Sequence, residues 1–501
     1  MTGPVRHVVI AGGGTAGWMA ALTLARMAPP SRPTITLVES PEVGTVGVGE
    51  ATLPTIRAFN AALGIDEAEF VRETRATFKL GIEFVDWRGP GHRFFHGFGD
   101  HGPDIAGLPP HQQLVRLGPE AVASLDDFSI PAVAARHGRF QPPAAQGLAS
   151  TYSYAYHFDA TLFAAFLRRL AIAAGVTHVQ ARIGGVRLAE TGDIAALRLE
   201  DGREVAGDLF VDCSGFRSLL LGEALGTPFV DWSHWLPCDR ALAVPCASDR
   251  RFDPFTRSTA GPGGWRWRIP LQHRTGNGHV YASGAISDDE AMAQLLAGLE
   301  GEPLAEPRRL FFRAGHRRRF WQRNCVALGL ASGFVEPLES TSIQLIEKGI
   351  GLLVELFPTT GPDPLLAEAY DRAMIASFEG IRDFILLHYR LSRREGPFWD
   401  AMRAMPIPDS LAEQIALFAE AGLVSIRDHQ GFAEPSWVSM LLGLGCTPRH
   451  PHPLADREPV AAVAQHFARG RAAIAQLVRA MPTHAAFLSR LIGRDVATVT
   501  A

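Results

Sequence analysis

"HVVIAGGGTAGWMAALTLARMA", residues 7–28, changes period halfway along, and that change decides the fold. "HVVIA" at 7–11 is short, apolar and β-branched, the pattern of a buried strand. "GWMAALTLARMA" at 17–28 reads as a helix, which Pro29–Pro30 ends. Gly12, Gly14 and Gly17 lie at the junction as G-x-G-x-x-G. That spacing by itself is a weak signal. Here it follows a strand, opens a helix, and leads to a second strand, "TITLVES" at 34–40, carrying Glu39 22 residues after Gly17. Such a unit aims helix N-terminal N–H groups at a pyrophosphate and offers a carboxylate to a ribose hydroxyl. NAD and FAD sites share it, so the loop does not choose between them.

Composition narrows the class. The chain has 501 residues, 47% apolar and 20% charged, with a formal net charge of −4. That is globular composition with room for two or three domains. No long basic run exists, so nucleic acid is not an expected partner, and Arg317–Arg318–Arg319 reads as a solvated patch. Cys213, Cys238, Cys246, Cys325 and Cys446 form no C-x-x-C pair, which argues against a metal site or disulfide framework and fits a reducing cytoplasm. Glycines break the first apolar stretch and no cleavage site follows, so it is not read as a signal peptide. No apolar run approaches the ~20 residues of a membrane span.

Outward from the glycine loop, helices are expected at 53–63 and 66–77, the second with Asp66 as N-cap and Glu69 three residues on. "FKLGIEFVDW" at 78–87 alternates, placing Phe78, Leu80, Ile82 and Phe84 on one strand face and Lys79 on the other. Residues 97–150 are rich in Gly and Pro and read as irregular connections with short helices. A helix from Asp159 to Ala174 stops at Gly175. Short β runs fill about 178–215 and 240–285, "CVALGLA" at 325–331 is a buried strand, and the chain beyond about 360 is mainly helical, with a long segment near 364–392. No internal repeat interrupts this order. Early alternation of strand and helix followed by a helical end argues an α/β core with a helical addition.

Three further stretches select a flavin. "VGTVGVGEATLP" at 43–54 supplies Gly44, Gly47 and Gly49, then Ala51, a chain able to lie against a large flat ligand. "GDLFVDCSGFRSLL" at 207–220, with Asp212 ending a strand before Ser214–Gly215, resembles the second flavin-binding signature of FAD monooxygenases. "ALGLASGFVEPLEST" at 327–341 resembles their third, with Leu330 where Asp is frequent. FAD is therefore the expected cofactor, held by Gly12, Gly14, Thr15, Ala16, Gly17, Glu39, Gly49, Ala51, Asp212 and Leu330.

With "GGGTAGWMAA", "VGVGEATLP", "FKLGIEF", "YHFDATLFAAFLR" at 156–168, "DCSGFRSLL", "WRWRIP" at 265–270 and "PLESTS" at 337–342, the sequence resembles the flavin-dependent tryptophan halogenase family up to about residue 360, and more weakly beyond. The resemblance implies an FAD-binding Rossmann-type domain of the flavin monooxygenase kind over 1–360. A substrate-side β-sheet would be inserted at about 80–150 and 220–310, and a helical region, 361–501, would complete the substrate pocket. It implies Lys79 and Glu339 as catalytic residues. A lysine ammonium can donate to hypohalous acid, and a carboxylate can take the proton released by the ring. Thr341 and Ser342, at a helix start, would hold the halide, chloride or bromide, beside Ile343. Many relatives carry Gly where Ser342 stands. His96 and Phe98 match substrate-pocket positions.

The family's paired tyrosines, which help hold the amino-acid end of free tryptophan, are replaced by Ser436 and Trp437. Indole itself, or a larger indole or phenol metabolite, fits better than free tryptophan. Alternation puts Trp265, Trp267 and Ile269, followed by Pro270, on one strand face and Arg266 and Arg268 on the other. The resemblance makes that apolar face the wall of a tunnel from flavin to Lys79. No second dinucleotide fingerprint exists for NADH, so a separate flavin reductase, not in a stable complex, is expected to supply FADH2; a homodimer is left open. The enzyme alternative is an aromatic hydroxylase on the same FAD domain; the non-enzyme alternative is a flavin-binding sensor or scaffold, which needs no Lys79 and Glu339 together.

Overall fold

Val8, Val9, Ile10 and Ala11 are fully buried, because their strand, His7–Ala11, runs inside a six-stranded sheet. The computed structural model describes residues 4–27, 33–40, 49–358, 361, 363–429 and 431–496; the Pro29–Pro30 stop and Gly44 and Gly47 lie outside them. The strand order is Trp321–Gln322, Cys325–Ala327, Leu209–Asp212, His7–Ala11, Thr34–Glu39 and Thr177–Gln180. All neighbours are parallel except the first pair. Parallel strands covered on both faces require continuous apolar runs, which is what residues 7–11 and 209–212 supply. The helix Thr15–Met27 lies between strand His7–Ala11 and its parallel neighbour Thr34–Glu39 in the chain, giving the expected Rossmann-type α/β core.

The described chain divides into two compact units. The first takes residues 1–75, 158–237 and 311–379 and contains the parallel sheet, together with small antiparallel sheets such as Ile183–Leu188, Ile194–Leu199 and Glu204–Ala206. The second takes residues 76–157, 238–310 and 380–501. Its centre is a seven-stranded, mainly antiparallel sheet in the order Arg308–Phe311, Arg240–Cys246, Thr275–Tyr281, Gly264–Pro270, Thr256–Gly261, Gly81–Val85 and Arg93–Gly97. The division at 379/380 falls inside the long helix Pro364–Leu391, so the C-terminal helices from 380 onward belong with the inserted sheet. Among the described residues no helix is long and apolar enough to cross a membrane, and no cluster of three or more His, Cys, Asp or Glu could hold a metal ion.

Several expected boundaries move for physical reasons. The helix expected at 66–77 is Glu67–Glu73, started by Asp66 accepting from the Glu69 N–H at 2.8 Å. It ends where Thr74 turns its hydroxyl onto the Phe70 carbonyl and Arg75 takes a left-handed φ of 53°. The single strand expected at 78–87 is two strands in two sheets. Thr77–Lys79 pairs antiparallel with Ala155–His157, and Gly81–Val85 joins the seven-stranded sheet. Leu80 is the corner, its N–H donating to Pro254 O (2.7 Å) and its carbonyl accepting from Phe98 N–H (2.9 Å). In the basic run, Arg318 and Arg319 are exposed as expected, but Arg317 turns inward and donates to the Thr227 carbonyl at 3.0 Å.

Candidate active site

The three glycines of the dinucleotide loop do different work. Gly12 has φ +113°, and a Cβ there would sit 2.3 Å from the Cys213 carbonyl oxygen. At Gly17 a Cβ would meet the Gly12 carbonyl oxygen at 1.9 Å. Both are glycine because the protein's own backbone leaves no room. At Gly14 a Cβ would meet nothing within 4 Å, so this position faces open space at the N-terminus of Thr15–Met27, whose first turn carries no acidic residue. A bare helix start with an uncrowded glycine fits a dinucleotide pyrophosphate. Glu39 lies at the end of its strand, paired with His178 at 2.8 Å and Arg168 at 3.8 Å.

Asp212, expected beside the cofactor, is occupied by its own turn. Oδ1 accepts from the Ser214 N–H and hydroxyl; Oδ2 accepts from the N–H groups of Leu220 (2.9 Å) and Leu221 (2.8 Å) and from the Ser218 hydroxyl. Its role is to fold residues 213–224 into the turn. That turn packs on the 3-10 segment Gly329–Ala331, which carries half-exposed Leu330. A Cβ on Gly329 would come 2.8 Å from Ala16 Cβ, so the third flavin-like signature lies directly against the glycine-loop helix. Gly49 and Ala51 are buried in a short strand of the same unit.

"PLESTS" forms a 3-10 turn at Pro337–Glu339, a left-handed Ser340 (φ 61°), and the helix Ser342–Glu355, which packs on helices Thr15–Met27 and Thr55–Ala62. Glu339 is fully buried. Thr341 stands at the N-cap position, yet its side chain makes no cap hydrogen bond, and its buried Oγ1 has no hydrogen-bond partner. Buried hydroxyls are seldom left so. An uncapped helix start with a spare hydroxyl donor fits a small anion. Ile343 is buried and Ser342 half-buried behind it.

In the second unit, Lys79 is fully buried, not on a solvated strand face, and its Nζ lies 5.1 Å from the centroid of the Phe98 ring. Phe98 meets His96 edge-on at 6.2 Å. His96 in turn contacts Phe384 (5.8 Å) and Phe432 (6.3 Å). Phe384 stacks on Phe432 at 3.8 Å and meets Trp437 edge-on at 4.9 Å. Lys79, His96, Phe98 and Trp437, chosen from separate parts of the sequence, therefore belong to one continuous cluster. Phe384 and Phe432 complete it and carry no local motif that sequence reasoning could have used. Trp437 also lines a small cavity with Asp383, Ser410, Gln414 and Ser425, and its buried indole N–H has no hydrogen-bond partner.

The Trp265–Pro270 stretch is the strand Gly264–Pro270. Trp265 and Trp267 lie side by side, 6.0 Å between centroids, with Trp265 buried and Trp267 half-buried. Gly278 on the neighbouring strand makes room for Trp267, since a Cβ there would lie 2.0 Å from its ring. The arginine face is structural. Arg268 is buried among Asp249 (2.7 Å), Asp253 (3.0 Å) and Glu300 (3.0 Å), and Arg266 donates to the Gln294 carbonyl at 2.7 Å. Ile269 is buried. The Pro270 carbonyl accepts from the Thr77 hydroxyl at 2.6 Å, tying this strand to the one that carries Lys79.

Residues 7–460 match the family model described as tryptophan halogenase. The chain is 38% identical over 490 residues to the tryptophan 6-halogenase of Streptomyces toxytricini, covering 91% of this chain and 92% of that protein. Among solved structures, a flavin-dependent halogenase from Brevundimonas sp. superposes with a TM-score of 0.93 at 46% identity, covering 97% of this chain and 99% of the other. One from Xanthomonas campestris superposes with a TM-score of 0.94 at 45% identity, covering 97% and 98%.

Proposed function

The chain belongs to the tryptophan halogenase family and is an FADH2-dependent halogenase; from that premise we propose that it halogenates a free indole-type aromatic other than tryptophan, through Lys79 and Glu339. The hydroxylase reading is not favoured, since the relatives are halogenases. The observation that carries the proposal is the burial of Lys79 against Phe98 in the cluster of His96, Phe384, Phe432 and Trp437. Aromatic walls of that kind suit a flat, electron-rich ring. Ser436 and Trp437 replace the tyrosines that would grip an amino-acid end. The unpaired Trp437 indole N–H offers a donor to one acceptor on the substrate.

FAD would be held by Gly12, Gly14, Thr15, Ala16, Gly17, Glu39, Gly49 and Ala51, with Leu330 and Ile343 beside its ring; bound and reduced, it supplies with O2 the oxidising power that turns halide into hypohalous acid. Thr341 and Ser342 would hold the halide. Trp265, Trp267, Ile269 and Pro270 would wall the route to Lys79, passing a small oxidant and keeping substrate away. Lys79 donates a hydrogen bond to the hypohalous oxygen, leaving the halogen electrophilic. The ring attacks the halogen, the oxygen departs as hydroxide and takes a proton from the Lys79 ammonium to become water, and Glu339 takes the proton from the substituted carbon. A separate flavin reductase delivers the reduced cofactor, in the cytoplasm.

The test is to incubate the protein with FAD, a flavin reductase, NADH, bromide or chloride, and a panel containing indole, substituted indoles, phenols and tryptophan. Halogen isotope patterns in indole products, lost in Lys79→Met and in Glu339→Gln, are expected. Tryptophan as the preferred substrate would overturn the substrate assignment. Product surviving Lys79→Met would overturn the lysine's role.

A further inference from the structure

The strand that carries Lys79 is three residues long. Two histidines close on it: His157, inside the 156–168 stretch, and His484, far along the chain. On one side, Thr77–Lys79 pairs with Ala155–His157, with Thr77 opposite His157 and Lys79 opposite Ala155. Thr77 and Lys79 share a face, being two residues apart. The Thr77 hydroxyl has a single proton, and that proton goes to the Pro270 carbonyl at 2.6 Å. Thr77 Oγ1 must then accept from His157 Nδ1–H at 3.1 Å. The second ring nitrogen of His157, Nε2, lies 3.0 Å from Thr256 Oγ1 and accepts from that hydroxyl when the ring is neutral. The chain runs one way: Thr256 hydroxyl, His157, Thr77 hydroxyl, Pro270 carbonyl.

On the other side, the Phe78 N–H donates to His484 Nε2 at 3.0 Å, while His484 Nδ1–H donates to the Phe252 carbonyl at 2.5 Å. An Nε2 that accepts carries no proton, so His484 is neutral. Both rings are fully buried. Burial lowers both histidines' affinity for a proton, and the Lys79 charge adds to the effect at His157. His484 lies beyond residue 460, where the family match ends.

We infer that His157 and His484 are positioning residues: two neutral histidines that clamp the Thr77–Lys79 strand from its two sides and hold the Lys79 ammonium where halogen transfer occurs. This rests on the proposed role of Lys79. If the clamp loosens, the residues that would hold FAD and halide are untouched and halide is still oxidised, but the oxidant escapes instead of reaching the ring.

The experiment compares wild type with His484→Phe, His484→Gln, His157→Phe and His157→Asn. Gln restores an acceptor near the Nε2 position, and Asn restores a donor near Nδ1. Hydrogen–deuterium exchange of the peptide spanning Thr77–Lys79 reads the clamp without any need for activity. The ratio of trapped free hypohalous acid to halogenated product reads delivery. Expected results are exchange about tenfold faster in His484→Phe and restored in His484→Gln, and a leak ratio up about tenfold in both Phe variants, with reduced-flavin oxidation unchanged. Where His157→Phe fails to fold, Thr77→Val, which keeps the side-chain shape and removes both hydroxyl bonds, replaces it, and where His484→Phe fails to fold, His484→Leu replaces it. Unchanged exchange overturns the clamp. Faster exchange with an unchanged leak ratio overturns the positioning role. Wild type giving no product from any substrate overturns the functional reading instead, and the exchange result still decides the clamp.

Discussion

The Thr77 hydroxyl donates to the Pro270 carbonyl at 2.6 Å, across 193 positions of sequence. It joins the strand of Lys79 to the end of the Trp265–Pro270 strand inside one unit. Two motifs that look independent in the sequence are thus mechanically one. The tryptophan strand is fixed on its other face by the Arg268 carboxylate cluster, so Lys79 is referenced to a rigid sheet.

Thr77→Val leaves the Pro270 carbonyl and His157 Nδ1 buried without their partner. Each unsatisfied buried group costs about 1–3 kcal/mol. A lower melting temperature than wild type is expected, with Thr77→Ser close to wild type because it keeps the hydroxyl. Thermal scans of the two variants check this. Equal melting temperatures for Val and Ser would mean that the hydroxyl contributes nothing.

Gly12→Ala and Gly14→Ala separate folding from cofactor binding. At Gly12 the new methyl meets the Cys213 carbonyl at 2.3 Å on a backbone of φ +113°, which no rotamer relieves. Gly12→Ala is expected to be poorly folded. At Gly14 the methyl meets no protein atom. Gly14→Ala should melt like wild type yet bind FAD at least tenfold more weakly, read by flavin fluorescence titration. Unaltered FAD affinity in Gly14→Ala would place the pyrophosphate elsewhere.

Thr341→Val tests the halide position. The Thr341 hydroxyl is buried without a partner, so removing it should leave thermal stability unchanged or slightly raised. A hydrogen bond to an anion is worth about 1.5–3 kcal/mol, so the KM for halide should rise roughly 10- to 100-fold. Halide-dependent steady-state kinetics measures it. A stability loss with an unaltered halide KM would make Thr341 a packing residue.

What was legible in the sequence was local. The glycine loop, the Asp66 cap and the helix start at Ser342 each depend on neighbours within a few positions, and spacing records them. Lys79 was legible as a motif residue, but the break at Leu80 was not. Alternation runs straight through 78–87, and only Pro254 and Phe98, far along the chain, turn it into two strands. His484 and the Phe384–Phe432 stack were illegible for the same reason, and His157, though inside the 156–168 stretch, showed no partner there. A buried histidine that accepts from an amide 406 positions away has no local pattern. At Asp212 the spacing records the residue but not the carboxylate's partners, the N–H groups of Leu220 and Leu221 in its own turn.

Stability should pass through a broad maximum with pH, because two sets of buried groups pull in opposite directions. His484 is lowered from 6.5 to about 4 by burial, and His101 to about 3 by burial and the nearby His111 and His96. The unfolded chain takes up these protons as pH falls below about 6.5 while the folded chain refuses them, so the native state loses stability from there downward. At pH 5 the His484 contribution is about 2 kcal/mol. Burial raises Glu347 from 4.5 to about 8 and Glu50 to about 7. The folded chain keeps those protons as pH rises from about 4.5, the unfolded chain does not, and stability falls until the folded carboxyls ionise. Melting temperatures should therefore drop on both sides of a broad maximum near pH 5–6, where the two opposing slopes cancel. Glu347→Gln should flatten the alkaline limb and leave the acid limb, while His484→Gln should flatten part of the acid limb and leave the alkaline one. Parallel shifts of the whole curve in both variants would mean that neither group titrates as burial dictates.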